Sequence, residues 1–146
     1  MKTKLKDVIL IIAILIVAIS GFYMFSQVFK KTTYNMALVS QNKEIVVKVD
    51  FLNEEIIINK WEDRYPIVDE INQTITLLGN YQNGVRYEFV IKYNFKKHSM
   101  QVIEEESPKN ISSKIGEKTA SSIISIPNGI TITFSNDGEV NLDDII

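Results

Sequence analysis

The chain has 146 residues, no cysteine, one histidine and a formal net charge of −2 at neutral pH. Without cysteine it has neither a disulfide framework nor thiolate metal ligands, and a single His98 cannot build an imidazole site. From Lys30 onward there are 13 basic against 17 acidic residues, a balance that argues against nucleic acid, whose phosphates need a basic stripe.

The first element is a run of 22 residues, Val8 to Phe29, without Lys, Arg, Asp, Glu or His. As a helix it spans about 33 Å, close to the roughly 30 Å hydrocarbon core of a bilayer. Phe22, Tyr23, Phe25 and Phe29 crowd its outer end, as in an interfacial aromatic belt. Lys2, Lys4, Lys6 and the α-amino group precede it, against Lys30 and Lys31 after it, so the positive-inside rule places the N-terminus in the cytoplasm and the C-terminal part outside. The competing reading is a cleaved signal peptide, with Ala18-Ile19-Ser20 as a small-x-small cleavage site. Apolar character continuing to Phe29 suits an uncleaved single-pass anchor better. The expected organisation is a cytoplasmic tip and signal-anchor helix over residues 1–29, a linker at 30–33, a β-domain at 34–135 and an acidic tail at 136–146. Abundant Lys, Ile and Asn point to an AT-rich bacterial genome.

Beyond the anchor the pattern is period two and rich in β-branched residues. Strands are predicted at Asn35–Ser40, Glu44–Asp50, Glu55–Asn59, Thr74–Leu78, Val85–Tyr93, Ser99–Glu104, Ser122–Ile126 and Ile130–Phe134. In the longest, Val85, Tyr87, Phe89, Ile91 and Tyr93 share one face. Gln41-Asn42-Lys43, Asn83-Gly84, Asn128-Gly129 and Asp137-Gly138 supply turns that tolerate positive φ. Lys60 to Thr74 reads as a long loop or irregular edge. The absence of an amphipathic helix of ten or more residues favours an all-β fold: a small antiparallel sandwich or barrel behind the transmembrane helix.

No catalytic or cofactor site is expected. The serines have no histidine within a nucleophile motif, and the glycines are scattered singly, so neither a hydrolase nor a phosphate loop is indicated. Glu104-Glu105-Glu106 ends a strand and reads as a charged rim. Asp137-Gly138-Glu139 and Asp143-Asp144 lack the spacing of a calcium loop. Trp61, Tyr65, Tyr81 and Tyr87 could line a recognition surface for glycan or peptide, although packing in the core is the stronger reading.

Ser107-Pro108-Lys109-Asn110-Ile111-Ser112-Ser113-Lys114-Ile115-Gly116, followed by Ile123-Ile124-Ser125-Ile126-Pro127-Asn128, resembles the signature of the NusG domain II family. That signature runs Cys-Pro-Asp-Lys-x-Cys-Val-x-x-Gly, then Ile-Val-Cys-Leu-Pro-Asn. Pro108, Gly116, Pro127 and Asn128 match, while Ser107, Ser112 and Ser125 stand at the family's cysteine positions. Over most of Tyr34 to Phe134 the resemblance implies a compact β-sandwich or barrel, membrane-anchored in standalone members, with no assigned enzymatic activity. The serines remove any thiol role, which leaves the signature residues a structural role.

The expected function is that of a non-enzymatic binding or interaction module at a bacterial cell surface, facing an envelope protein or a glycan. The alternative is an accessory or scaffold subunit that contacts partners through its anchor helix.

Overall fold

In the computed structural model, residues 2–28 and 33–138 are described. They fall into two compact units, divided between Thr32 and Thr33. The predicted linker and acidic tail lie almost wholly outside the described residues.

The first unit is helix α1, Lys2–Val28. Its stretch Lys6–Met24, 19 residues long, is apolar and long enough to cross a membrane, a character it shares with signal sequences. Every side chain described along it is exposed. Ser20, the one hydroxyl in this stretch besides that of Tyr23, donates to the Val17 carbonyl at 3.0 Å, so its polarity is absorbed by the helix itself.

The second unit is built from nine strands: β1 Met36–Gln41, β2 Glu44–Asp50, β3 Glu55–Ile58, β4 Ile67–Asp69, β5 Thr74–Leu78, β6 Glu88–Asn94, β7 Ser99–Glu104, β8 Ile123–Ser125 and β9 Ile130–Ser135. A short helix, α2 Ile111–Ile115, lies between β7 and β8. The strands form two antiparallel sheets, ordered β3-β2-β1-β9-β8 and β4-β5-β6-β7. The all-β reading therefore holds. Period-two burial explains the core: Val47, Val49, Ile132 and Phe134 from the first sheet join Ile75, Leu77, Phe89, Ile91 and Val102 from the second in one cluster.

Three hairpins of the same make close one end. Each joins its strands through four residues, starts on Asp or Asn and ends with a left-handed residue, at Glu54, Gln73 or His98. Asp50 accepts from the Leu52 and Asn53 amides at 2.9 and 3.0 Å. Asp69 accepts from Ile71 and Asn72, both at 3.0 Å, and Asn94 from Lys97 at 3.0 Å. The side-chain carboxylate or amide thus satisfies the turn's own N–H groups, which is why Asp and Asn lead these loops. His98 stacks on Phe51 with ring centroids 5.2 Å apart, tying the hairpin of one sheet to that of the other.

Asparagines organise the opposite end. Asn42 and Asn80 exchange side-chain hydrogen bonds at 3.0 Å each way, and the Asn42 amide donates to the Gly129 carbonyl at 2.8 Å. Asn42 and Lys43, like Asn83 and Gly84, pair two positive φ values in a two-residue turn.

Two strand readings change. Val85 and Tyr87 are 49% and 39% exposed, so only Phe89, Ile91 and Tyr93 of the expected face reach the core. Residues 79–87 leave the sheet as a loop closed by a Gln82–Val85 bridge. Lys60–Thr74, expected as a long loop or an irregular edge, carries β4, an edge strand of three residues paired with β5 and too short to show periodicity.

Candidate functional site

The signature residues gather beside α2, where the edge strands β7 and β8 of the two sheets face the helix. A β-bulge starts the arrangement. Ile91 pairs with Val102 while Val90 pairs with Glu104, so one extra residue in β7 flips the in-and-out phase of the residues after it. Glu105 consequently turns inward and is 6% exposed, whereas Glu104 and Glu106 remain outside the core. The expected charged rim is thus corrected at its middle residue.

The inward carboxylate fastens three segments together. One Glu105 oxygen accepts from the Ser113 amide at 2.9 Å and the other from the Ser125 hydroxyl at 3.1 Å. Asn128, 1% exposed, donates to Ser125 Oγ at 2.9 Å and accepts from Gln82 at 3.1 Å. Gln82 also donates to the Glu106 carbonyl at 2.7 Å. Ser112, buried at the start of α2, donates to the Ile124 carbonyl at 3.4 Å. Ser107 and Asn110 bond reciprocally, with the Ser107 amide donating to Asn110 Oδ1 at 3.1 Å and the Asn110 amide to Ser107 Oγ at 3.0 Å. Gly116 caps α2 with φ 79°.

Ser107, Pro108, Ser112, Ser125 and Pro127 thus share the wall of one cleft of about 240 Å³, closed below by Glu105. Asn128 stands behind that wall, and Gly116 ends the helix. The rest of the lining is largely aliphatic: Ile126 is 83% exposed, Ile111 56% and Ile124 42%. The serine hydroxyls are engaged in the fold: Ser112 with the Ile124 carbonyl, Ser125 with the Glu105 carboxylate and the Asn128 amide, and Ser107 with Asn110. Chemically the place can accept an apolar group over a polar floor.

A second surface comes from the loops 59–66 and 79–87. Arg86 donates to Gly79 O at 2.7 Å, Leu78 O at 2.9 Å and both Glu62 carboxylate oxygens at 2.6 and 3.1 Å. Its guanidinium lies 5.5 Å from the Tyr81 ring centroid. The Arg86 guanidinium holds the Glu62 carboxyl below its ordinary range, chiefly through the hydrogen bond. Of the four aromatics, only Tyr65 is in the core; Trp61 and Tyr81 are 60% and 73% exposed. Core packing is therefore corrected for Trp61, Tyr81 and Tyr87. They ride on loops rather than strands, where alternation gives no inward direction.

His98 bonds through Nδ1 to the Tyr34 carbonyl at 2.9 Å and acts as a turn residue. No group of three His, Asp or Glu side chains is set to hold a metal among the described residues. Sequence reasoning missed Glu105, because a bulge leaves no mark that composition or periodicity reveals.

No family model and no curated protein matches the chain. Among solved structures, the Lin0431 protein from Listeria innocua superposes with a TM-score of 0.43 at 12% identity, over 70% of this chain and 95% of that one. That likeness is too slight to bear on function.

Proposed function

We propose that the chain is a single-pass membrane protein of the NusG domain II kind, whose β-domain is exported and serves a bacterial envelope as a non-enzymatic interaction module. The observation that carries this reading is the cleft beside α2. Its polar groups are consumed in holding α2, β7 and β8 together, while its aliphatic rim stands open to solvent, the pattern of a contact surface rather than of a reaction centre. The coincidence of Pro108, Pro127 and the three serines at that one place supports the family resemblance. The apolar span of α1 supports attachment, and the lysines before it support an N-terminus in the cytoplasm.

Protease treatment of intact cells tests the topology. The β-domain is expected to be digested while a cytoplasmic marker survives. Digestion only after lysis overturns the reading.

A further inference from the structure

At the end closed by the three hairpins, the sandwich stays open between β3 and β4, which are edge strands of different sheets. Between them runs a groove of about 410 Å³. Its floor is apolar, from Ile56, Ile58, Val68 and Phe95, and its rim is acidic, from Glu54, Glu55 and Glu70. No basic residue lines it. None of the three glutamates forms an ion pair with a described residue, in contrast to Glu44, Glu62 and Glu117, which hold Lys60, Arg86 and Lys97.

Tyr93 supplies an independent sign of a ligand. Its side chain is 1% exposed and lines the groove, yet its hydroxyl has no hydrogen-bond partner among the described residues. Glu105, Ser112 and Asn128 are partnered, and the two hydroxyls sealed from solvent without a partner are those of Ser40 and Thr133, so the Tyr93 hydroxyl differs from these in opening into the groove. Burial, with the nearby Glu70 and Asp69 carboxylates, lifts the Tyr93 phenol above its ordinary pKa, so it stays neutral and its oxygen can accept a hydrogen bond. Asp69 itself is occupied by its own turn.

We propose that this groove takes an extended segment of a partner protein, laid along the free edge of β3, with apolar residues over the floor and a Lys or Arg side chain held by Glu54, Glu70 and the Tyr93 hydroxyl. The edge strand supplies unpaired backbone groups for strand addition. The uncompensated acidic rim selects a basic side chain, and the apolar floor separates such a segment from a free polyamine. A metal ion is the poorer fit, since the acidic groups do not converge as ligands.

The full-length protein in phosphatidylcholine nanodiscs, a zwitterionic surface that does not itself capture cations, provides the test. The probe is a labelled, end-blocked peptide alternating Thr and Val and ending in two Lys; the control carries Glu in place of Lys. Saturable binding of the Lys peptide is expected, at least about tenfold tighter than the control. Tyr93→Phe removes one oxygen and is expected to weaken binding about tenfold, as for a hydrogen bond to a charged group. E54Q together with E70Q, both changes on the rim that leave the core untouched, is expected to weaken it by a similar factor or more. Ile126→Asp, in the other cleft, is expected to leave it unchanged. No binding, equal binding of the Glu peptide, or an unaltered affinity in the E54Q/E70Q protein overturns the proposal. So does self-association that displaces the peptide, which would assign the edge to a second copy.

Discussion

Glu105 shows how one buried side chain decides a site. A carboxylate left in the interior without its donors is costly, so removing them costs more than an ordinary surface change. Asn128→Ala takes away the donor to Ser125 and the acceptor for Gln82; it is expected to destabilise the domain by about 1–3 kcal/mol in urea unfolding. By contrast Ile126→Asp, at an exposed position, is expected to stay within about 0.5 kcal/mol of the unaltered protein, so any loss of partner binding in it reports on the cleft itself. Gly129 has φ 65°, and a Cβ there would sit 2.3 Å from Asn80 Nδ2 and 2.4 Å from Asn42 Oδ1. Gly129→Ala therefore combines backbone strain with the breaking of the Asn42–Asn80 pair, and a loss above about 2 kcal/mol is expected in the same measurement. Asp50 adds a pH dependence. Hydrogen bonds from Asn53, backbone before side chain, together with the Leu52 amide, hold its pKa below 3.8 against the opposing effect of burial. A carboxyl lowered on folding stabilises above its unfolded pKa and loses that contribution as pH falls through the folded value. The urea midpoint should thus fall as the solution is acidified from about pH 5, and Asp50→Asn should fall less steeply.

Among the elements, the loops 59–66 and 79–87 depend on Arg86 more than on its salt bridge. Glu62 is exposed, and such a pair is worth little in water, whereas the two carbonyls Gly79 and Leu78 lose a charged donor if Arg86 is removed. Arg86→Met is expected to cost about 2 kcal/mol and Glu62→Gln less than about 1 kcal/mol, measured by chemical denaturation. If the two changes cost the same, the ion pair and not the carbonyl contacts holds the loops. The three hairpins make the complementary case: each loop is fastened by its own first residue, so each is locally encoded. The pattern Asp or Asn, three residues, then a left-handed residue recurs at 50–54, 69–73 and 94–98, where period-two alternation reveals the flanking strands but not the turns.

The whole molecule pairs an unburied apolar helix with a β-sandwich that has its own core. Leu15→Asp should place a charge near the middle of the span and cost about 3 kcal/mol of insertion. Membrane retention in cell fractionation is expected to fall accordingly, with the β-domain still folded. Retention at the unaltered level would overturn the proposal that α1 is a membrane anchor.

By itself the sequence determined that the chain opens with an apolar helix, the all-β class and seven of the nine strands within a residue or so, because charge-free length and period-two burial are local properties of the chain. It also named the residues of the α2 cleft through their resemblance to a family signature, without saying that they meet. Only the tertiary structure decided that Glu105 turns inward, since the bulge responsible depends on how β7 pairs with β6. It alone placed Trp61 and Tyr81 outside, on loops where alternation gives no inward direction, and it alone left Tyr93 beneath an acidic groove, because burial there depends on which strands of different sheets come to lie opposite each other, a relation that no stretch of sequence contains.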